Sequence, residues 1–524
     1  MRNRNRPQRI SSLREAASWV WWHLLMRPAF RSRILVIGAG LAGLAAAIRL
    51  RQSGCEVTLV ERNDAPGGKL RALEWEGFRW DTGPSQFTLP QVLGNLWESV
   101  GRKLKDDLAP QRLPVTCRYW WRDGTRIDED AGFWQQPGVD AVVRHGRGVC
   151  QAGAGALLHR PIEEWRDHLA WRRPACLPHL VKLADPRPLS SAAARFFPRS
   201  PHLQQWLGWF AGRAGASPYH APSSMTMLPF LRAEFGGWYV AGGMQAVAAA
   251  LVRLARQLGV VVETRLEAVR FEANNDAWTV FLRSREGGPS SPRRCDGIVC
   301  TMDALAATRR FLDPGFQPQR PLSASGFVIQ AAIGRDYPEL AHDNVFFSQD
   351  FHAEFADLFG RLVPPDNPTL QVTVSSKTDP SLAPAGCGNW LVFVNAPPLQ
   401  PKFDWTFRAQ RYADRILGQL AEFGLEDPRP HVRWMKTTTP ADFAARYLSP
   451  GGALHGYATH GLRAPLQRPA IASPLPGLVF AGAATHPGPG IPQALLSGQL
   501  AARALLRQRG GPDLELAAAW DAQA

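Results

Sequence analysis

The segment Arg33-Ile34-Leu35-Val36-Ile37 runs without a break into Gly38-Ala39-Gly40-Leu41-Ala42-Gly43 and then into Leu44-Ala45-Ala46-Ala47-Ile48-Arg49-Leu50. A short β-branched run, a glycine-spaced turn and an alanine-rich stretch predict a buried strand, a tight turn and a helix in immediate succession. Each glycine has a task. Gly38 permits the turn, Gly40 lets backbone approach a pyrophosphate, and Gly43 lets the helix lie close on the strand. The helix N-terminus then presents its positive end to the phosphates. A second predicted strand, Val57-Thr58-Leu59-Val60, ends in Glu61. That acid falls at the roughly 20-residue interval expected of a carboxylate that accepts adenosine ribose hydroxyls. The order of parts commits residues 33 to 61 to a dinucleotide-binding unit.

The continuation separates a flavin from a nicotinamide. Asn63-Asp64-Ala65-Pro66-Gly67-Gly68-Lys69-Leu70-Arg71 brings a glycine pair and a cation toward phosphate or flavin oxygens. Gly77-Phe78-Arg79-Trp80-Asp81-Thr82-Gly83-Pro84 follows, where a nicotinamide dehydrogenase would continue with another strand and helix. Far along the chain, Gly477-Leu478-Val479-Phe480-Ala481-Gly482 predicts a short strand closing in a glycine. Ala483-Ala484-Thr485-His486-Pro487-Gly488-Pro489-Gly490-Ile491-Pro492 then feeds a helix over about Gln493 to Leu506. Unpaired amides at such a helix start would stabilise negative charge on a reduced flavin ring.

Between these ends, Gly242-Gly243-Met244 opens a helical pattern through about Leu258. Val260 to Val269, Trp278 to Leu282 and Gly297 to Cys300 predict strands, with a polar hairpin loop near Glu286 to Arg294. A second set of alternating strands, Phe327 to Ile333, Leu370 to Val374 and Trp390 to Val394, predicts an antiparallel sheet. The expected fold is α/β, with a discontinuous Rossmann-type FAD-binding domain and an α+β substrate-binding domain containing an antiparallel sheet. The FAD-binding domain is read as residues 33–106, 234–304 and 470–510. Residues 107–233 and 305–469 form the substrate-facing part, and residues 1–32 a basic, Trp-rich leader.

The motifs resemble the phytoene desaturase family of FAD-dependent carotenoid desaturases, within the flavin amine oxidase superfamily. The resemblance rests on the Gly38 to Glu61 fingerprint, Pro66-Gly67-Gly68-Lys69, Asp81-Thr82-Gly83-Pro84, Phe235 to Met244, Thr378 to Cys387 and, most specifically, Thr485-His486-Pro487-Gly488-Pro489-Gly490-Ile491-Pro492. It implies FAD as cofactor. Gly38, Gly40, Leu41, Ala42, Gly43, Glu61 and Arg62 would hold its ADP half, and Gly68, Lys69 and Leu70 would lie along the pyrophosphate and ribityl chain. A backbone group near Val269 would meet adenine, and Gly482, Ala483 and Ile491 would sit beside the ribityl and the ring. Ala483 stands where many amine oxidases of the superfamily carry an acid. Covalent attachment through a C-terminal cysteine is excluded, because the last cysteine is Cys387.

The implied reaction is desaturation of a long isoprenoid polyene in carotenoid biosynthesis. Asn389 to Pro397 looks closest to the 1-hydroxycarotenoid 3,4-desaturase (methoxyneurosporene dehydrogenase) branch. Phytoene or C30 diapophytoene desaturation, a carotenoid oxygenase or isomerase of the same scaffold, and a non-catalytic prenyl-lipid-binding protein are the alternatives. Such a substrate needs geometry and a dry tunnel more than a strong base. No catalytic acid or base is identified. His342, His352, His455 and His486 read as structural, no Ser/His/Asp spacing appears, and the electron acceptor is left open.

Charge and cysteine bound the partners. Sixty Lys and Arg against 45 Asp and Glu give +15, which suits nucleic acid, an anionic membrane or an acidic ligand. Aromatic and basic residues interleave from Leu108 to Ala233, with Trp120, Trp121, Trp134, Trp165, Trp171, Trp206 and Trp209, yet no nucleic-acid module accompanies them. A flavin site turns these aromatics into core or channel. The leader's apolar run, Ala16 to Met26, is about 11 residues where a membrane span needs about 20. It reads as an interfacial helix or as a helix packed on the protein's own surface, without a signal-peptide cleavage site. The expectation is a peripheral protein on the cytoplasmic side of a membrane, with no nucleic-acid partner. Seven scattered cysteines lack metal or redox spacing and predict no metal site.

Overall fold

The computed structural model describes residues 31–154, 185–401 and 403–517. The leader up to residue 30, Trp165, Trp171 and Cys176 lie outside the described residues.

A five-stranded parallel sheet gathers Leu478–Phe480, Gly297–Cys300, Arg33–Ile37, Glu56–Val60 and Val261–Glu263, in that spatial order. Its inner strands are apolar on both faces because both are covered: Ile34, Val36, Val57 and Leu59 lie under helices, while Leu35, Ile37, Ile298 and Cys300 pack on Trp278, Val280 and Leu282 of a smaller antiparallel sheet. The Leu41–Gln52 helix is buried at every position from Leu41 to Leu50, which explains why it is alanine-rich rather than amphipathic. It packs against the Ile491–Gln508 helix, and closely. A Cβ at Gly498 would stand 2.0 Å from the Ala42 carbonyl oxygen. Thus the two ends of the chain are joined in one layer.

Leu266–Asn274, Ala277–Ser284 and Ser291–Cys295 form a separate three-stranded antiparallel sheet. The polar loop expected near Glu286 to Arg294 is therefore shorter than its composition suggested. Ser291 and Arg294 belong to an edge strand, whose backbone bonds Ala277–Ser284 while Ser291 and Pro292 are exposed. Pro292 is tolerated there because an edge needs no donor on its open side.

The second large sheet has seven strands, in the order Val432–Thr438, Ser325–Ile333, Gly388–Ala396, Leu370–Val374, Asp343–Phe346, Arg118–Trp120 and Arg126–Asp128. All neighbours are antiparallel except Asp343–Phe346 with Arg118–Trp120. Its second strand, Ser325–Ile333, is buried on both faces. Phe327, Ile329 and Ala331 meet Trp405, Tyr412 and Ile416 of the Trp405–Gln419 helix, while Val328 and Ala332 face Phe78 and Trp80. Trp120, Trp121, Trp206 and Trp209 are core residues. No described helix is long and apolar enough to cross a membrane.

Residues 69–86 tie the two sheets together. The Asp81 carboxylate accepts from the Met244 and Gln245 amides at 2.8 and 2.9 Å, capping the Gln245–Gln257 helix from a distant segment. Ser85 and Gln86 then donate to Asp343 in the second sheet, and the Asn389 side-chain amide donates to the Arg79 carbonyl at 2.6 Å.

Candidate flavin site

Three parallel strands end side by side at Gly38, Thr301 and Gly482. The spatial order of the sheet reverses between Arg33–Ile37 and Gly297–Cys300, and the crevice beyond the carboxyl ends of strands at such a point is where α/β sheets take ligands. Gly38 has φ +97°, and a Cβ there would stand 2.4 Å from the Thr301 hydroxyl oxygen, which bonds the Ile37 and Gly38 carbonyls. A Cβ at Gly43 would stand 2.0 Å from the Gly38 carbonyl oxygen. Gly40 differs. Nothing lies closer to its Cβ position than the Gly68 Cα at 3.9 Å, so the turn keeps room beside the helix start. That helix has no side-chain cap and no acid in its first turn, leaving the Leu41, Ala42 and Gly43 end positive.

Glu61 is 5% exposed beside this turn. Its carboxylate accepts from the Ala39 amide at 2.8 Å and from the Asn63 amide and side chain, each also at 2.8 Å. Carboxylate lone pairs remain for ribose hydroxyls. Arg62 turns away and donates to the Ala445 carbonyl at 2.9 Å, with Glu267 3.5 Å from its Nε. Val269 falls where the pairing of Leu266–Asn274 with Ala277–Ser284 slips, between Ala268 and Arg270, so it sits outside the regular ladder.

The glycine pair closes the turn from above. Gly67 donates to the Ala39 carbonyl and Leu70 donates to Gly67, holding Gly68 opposite Gly40. Leu70 is buried. Lys69 donates to the Leu454 carbonyl at 2.6 Å and lies 5.7 Å from the centre of the Tyr447 ring. Burial lowers its pKa, and the charge of Asp303 opposes that shift.

On the distant segment, Gly482 has φ +126° and its amide donates to Ser497 Oγ at 3.0 Å. Ser497 donates in turn to the His486 carbonyl at 2.7 Å, so one hydroxyl fastens both sides of the 482–490 loop. Ala483 is partly accessible, and the buried Thr485 hydroxyl has no hydrogen-bond partner among the described residues. Ile491 opens a helix that again has no side-chain cap and no acid in its first turn. An open glycine turn, a ribose-type carboxylate, uncapped helix starts and an orphaned hydroxyl together fit an FAD.

Sequence reasoning missed the residues that join this region to the second sheet. A Cβ at Gly456 would stand 2.9 Å from the Ala484 Cβ, and the Arg468 guanidinium lies against Gly488. Arg468 donates to the His455 carbonyl at 3.2 Å and to the Thr459 hydroxyl at 2.9 Å. Burial alone lowers its pKa to about 10. His455 is held neutral, its pKa lowered to about 3 by burial and then by the charges of Lys69 and Arg468. His342 instead bonds the Thr378 hydroxyl at 2.8 Å, His486 is buried, and His352 meets the Tyr219 ring edge to face. Lys69, Arg213, His455 and Arg468 lie deep in the molecule, each partly accessible. Phe393, partly accessible, packs with the buried Val328 and Leu391 on one face of the second sheet.

The chain is similar to known proteins over nearly its whole length. Residues 41–506 match the family of flavin containing amine oxidoreductases. A 4,4'-diapolycopene oxygenase of a Methylomonas species is 33% identical over 493 residues, covering 89% of this chain and 97% of the relative. A 4,4'-diaponeurosporene oxygenase of Staphylococcus aureus strain MW2 is 31% identical over 502 residues, covering 89% and 96%. Among solved structures, a putrescine oxidase bound to putrescine superposes with a TM-score of 0.60 at 16% identity, over 92% of this chain and all of that one. A cyclohexylamine oxidase from Brevibacterium oxydans gives 0.57 at 17% identity, over 91% and 99%. At such identity these two structures speak for the fold.

Proposed function

Because the chain belongs to the family of flavin containing amine oxidoreductases and is an FAD-dependent oxidoreductase, we propose that its substrate is a long isoprenoid polyene of carotenoid biosynthesis, to which it adds oxygen. The observation that carries this reading is the pair of relatives at 31% and 33% identity, both matched along almost their entire length and both oxygenases of such polyenes. Ala483 supports it, since the acid of many amine oxidases is missing there. So does the apolar sheet face of Val328, Leu391 and Phe393, which suits a hydrocarbon better than an amine.

Gly38, Gly40, Leu41, Ala42, Gly43 and Glu61 would hold the ADP half of FAD, with the ribose on Glu61. Gly68, Lys69 and Leu70 would follow the pyrophosphate, and Gly482, Ala483 and Ile491 the ring end. FAD, when bound, would supply two-electron chemistry between a carbon–hydrogen bond and dioxygen: taken as far as an aldehyde, a methyl group gains one oxygen atom of O2 and the other leaves as water. The apolar face of Val328, Leu391 and Phe393 fixes the chain, while the Arg468 guanidinium lies beside the 482–490 loop.

A second reading, desaturation in the manner of the 1-hydroxycarotenoid 3,4-desaturases, is favoured by the Asn389 to Pro397 segment. Expression in hosts accumulating diapolycopene, phytoene or a 1-hydroxycarotenoid, with mass analysis of the pigments, separates them. Oxygenation adds oxygen to the polyene, desaturation removes two hydrogens, and unchanged pigment in all three hosts rejects both.

A further inference from the structure

Arg213 ends the Pro201–Arg213 helix and turns its guanidinium inward. It lies 5.4 Å from the centre of the Trp209 ring, and Arg232 lies 5.7 Å from the same ring. The acids nearby are already engaged. Glu129 is ion-paired with Arg232 and accepts from the Tyr119 hydroxyl. Asp343 accepts from Ser85, Gln86, Thr373 and, more weakly at 3.4 Å, Gln371. The Arg213 guanidinium has no hydrogen bond or ion pair with any described residue, its Nη1 being buried, although its backbone bonds the His455 ring. A guanidinium so placed forgoes hydration and gains little but a ring face in return.

The surroundings say what it awaits. The turn after the helix leads to Gly215, whose Cβ position stands 2.8 Å from the His455 ring, and His455 adjoins the 482–490 loop through Gly456 and Ala484. The second sheet offers two further groups on one face, Gln330 with its Oε1 buried and unpartnered among the described residues, and Asn395, partly accessible, whose side chain makes no hydrogen bond to a described residue. Val328, Leu391 and Phe393 lie between them on that face. The sheet face is thus apolar between two polar groups, and an unmatched cation stands where the helix ends.

We propose that Arg213 receives a carbonyl oxygen, of an aldehyde or a carboxylate, at one end of the polyene, so that the protein prefers chains already oxygenated over the bare hydrocarbon. This rests on the polyene reading above. A hydrogen bond from a charged donor to such an oxygen is worth about tenfold or more in affinity once buried.

The test uses the FAD-loaded full chain in detergent micelles, with binding read from quenching of tryptophan fluorescence. The probes are diapolycopene, its terminal monoaldehyde and its terminal monocarboxylate. The expected result is that the wild type binds one or both oxygenated probes about tenfold more tightly than the hydrocarbon. Arg213→Leu brings all three within about twofold without weakening the hydrocarbon, and Arg213→Lys retains part of the preference. Because the side chain has no partner to lose, Arg213→Leu also melts no lower than the wild type, whereas a structural arginine would leave a less stable protein. Should the leucine variant not retain FAD, Arg213→Gln makes the same comparison. A preference that survives loss of the charge, or equal binding of all three probes by the wild type, overturns the role of Arg213 alone. A wild type that binds none of the three overturns the polyene reading and this inference with it.

Discussion

At the level of single residues, the glycines of the flavin turn are distinguished by what surrounds them. A methyl at Gly43 meets a backbone oxygen that cannot yield, whereas the Cβ position of Gly94, inside the Gln91–Glu98 helix, has nothing within 4 Å. Gly43→Ala is therefore expected to cost about 1–3 kcal/mol and most of the bound FAD, and Gly94→Ala to gain about 0.5–1 kcal/mol with full flavin content. Thermal melts and the flavin to protein absorbance ratio of the two variants check this contrast. Equal behaviour would show that the turn is not packed as described.

Asp81 makes a pH-dependent prediction. Burial raises its pKa from 3.8 to about 6, against the pull of the Met244 and Gln245 amides. The folded state therefore binds the proton more tightly than the unfolded chain. The associated stability is complete below about pH 4 and is lost as pH rises through about 6. The wild type should lose about 3 kcal/mol relative to Asp81→Asn across that interval and nothing further above it. Denaturant melts of both proteins at several pH values measure the difference, and a flat difference contradicts it. The Asp81-Thr82-Gly83-Pro84 motif was visible in the sequence, but its carboxylate's work as the cap of a helix some 160 residues away was not. No local pattern encodes a tertiary cap.

At the level of elements, what the sequence revealed depended on how local the signal was. The strand, turn and helix at Gly38 and the three alternating runs of the second sheet carry their own periodicity, and all appear. Arg118–Trp120, Arg126–Asp128 and Ser291–Cys295 are three to five residues long and rich in arginine or serine, so nothing in their composition marks a strand. They exist because a neighbouring edge offers backbone partners. The loop at 482–490 was recognised by its Pro and Gly content, but not its fastener. Ser497 lies mid-helix, and its hydroxyl serves two backbone groups of that loop. Ser497→Ala should cost about 1–3 kcal/mol by stranding the Gly482 amide. It should also raise the dissociation constant for FAD, read by flavin fluorescence on dilution, while unaltered flavin retention would detach the loop from the cofactor.

For the whole molecule, the chain leaves and re-enters the parallel sheet, so its two ends and its middle meet at one set of strand ends. The fingerprint at either end foretold that meeting. The approach of Arg213 to His455 and Arg468 could not be read beforehand, because Arg213 ends the Pro201–Arg213 helix, far earlier in the chain than the connection that carries the other two, and the three share no motif. The net charge of +15 exceeds what FAD phosphates would neutralise, and it supports an anionic membrane surface as the place where a polyene is met. Cosedimentation with anionic vesicles should be strong at low salt and fall steeply as the Debye length drops to about 3 Å near 1 M salt. Binding equal to neutral vesicles at every salt concentration would remove charge from the account.

The central claim is that a chain with the fold of amine oxidases oxidises a polyene. Incubating the aerated, FAD-loaded protein with diapolycopene in micelles and, separately, with putrescine tests it directly. The account expects mass-shifted pigment from the first and no hydrogen peroxide from the second. Peroxide released from putrescine, with diapolycopene recovered unchanged, would contradict it.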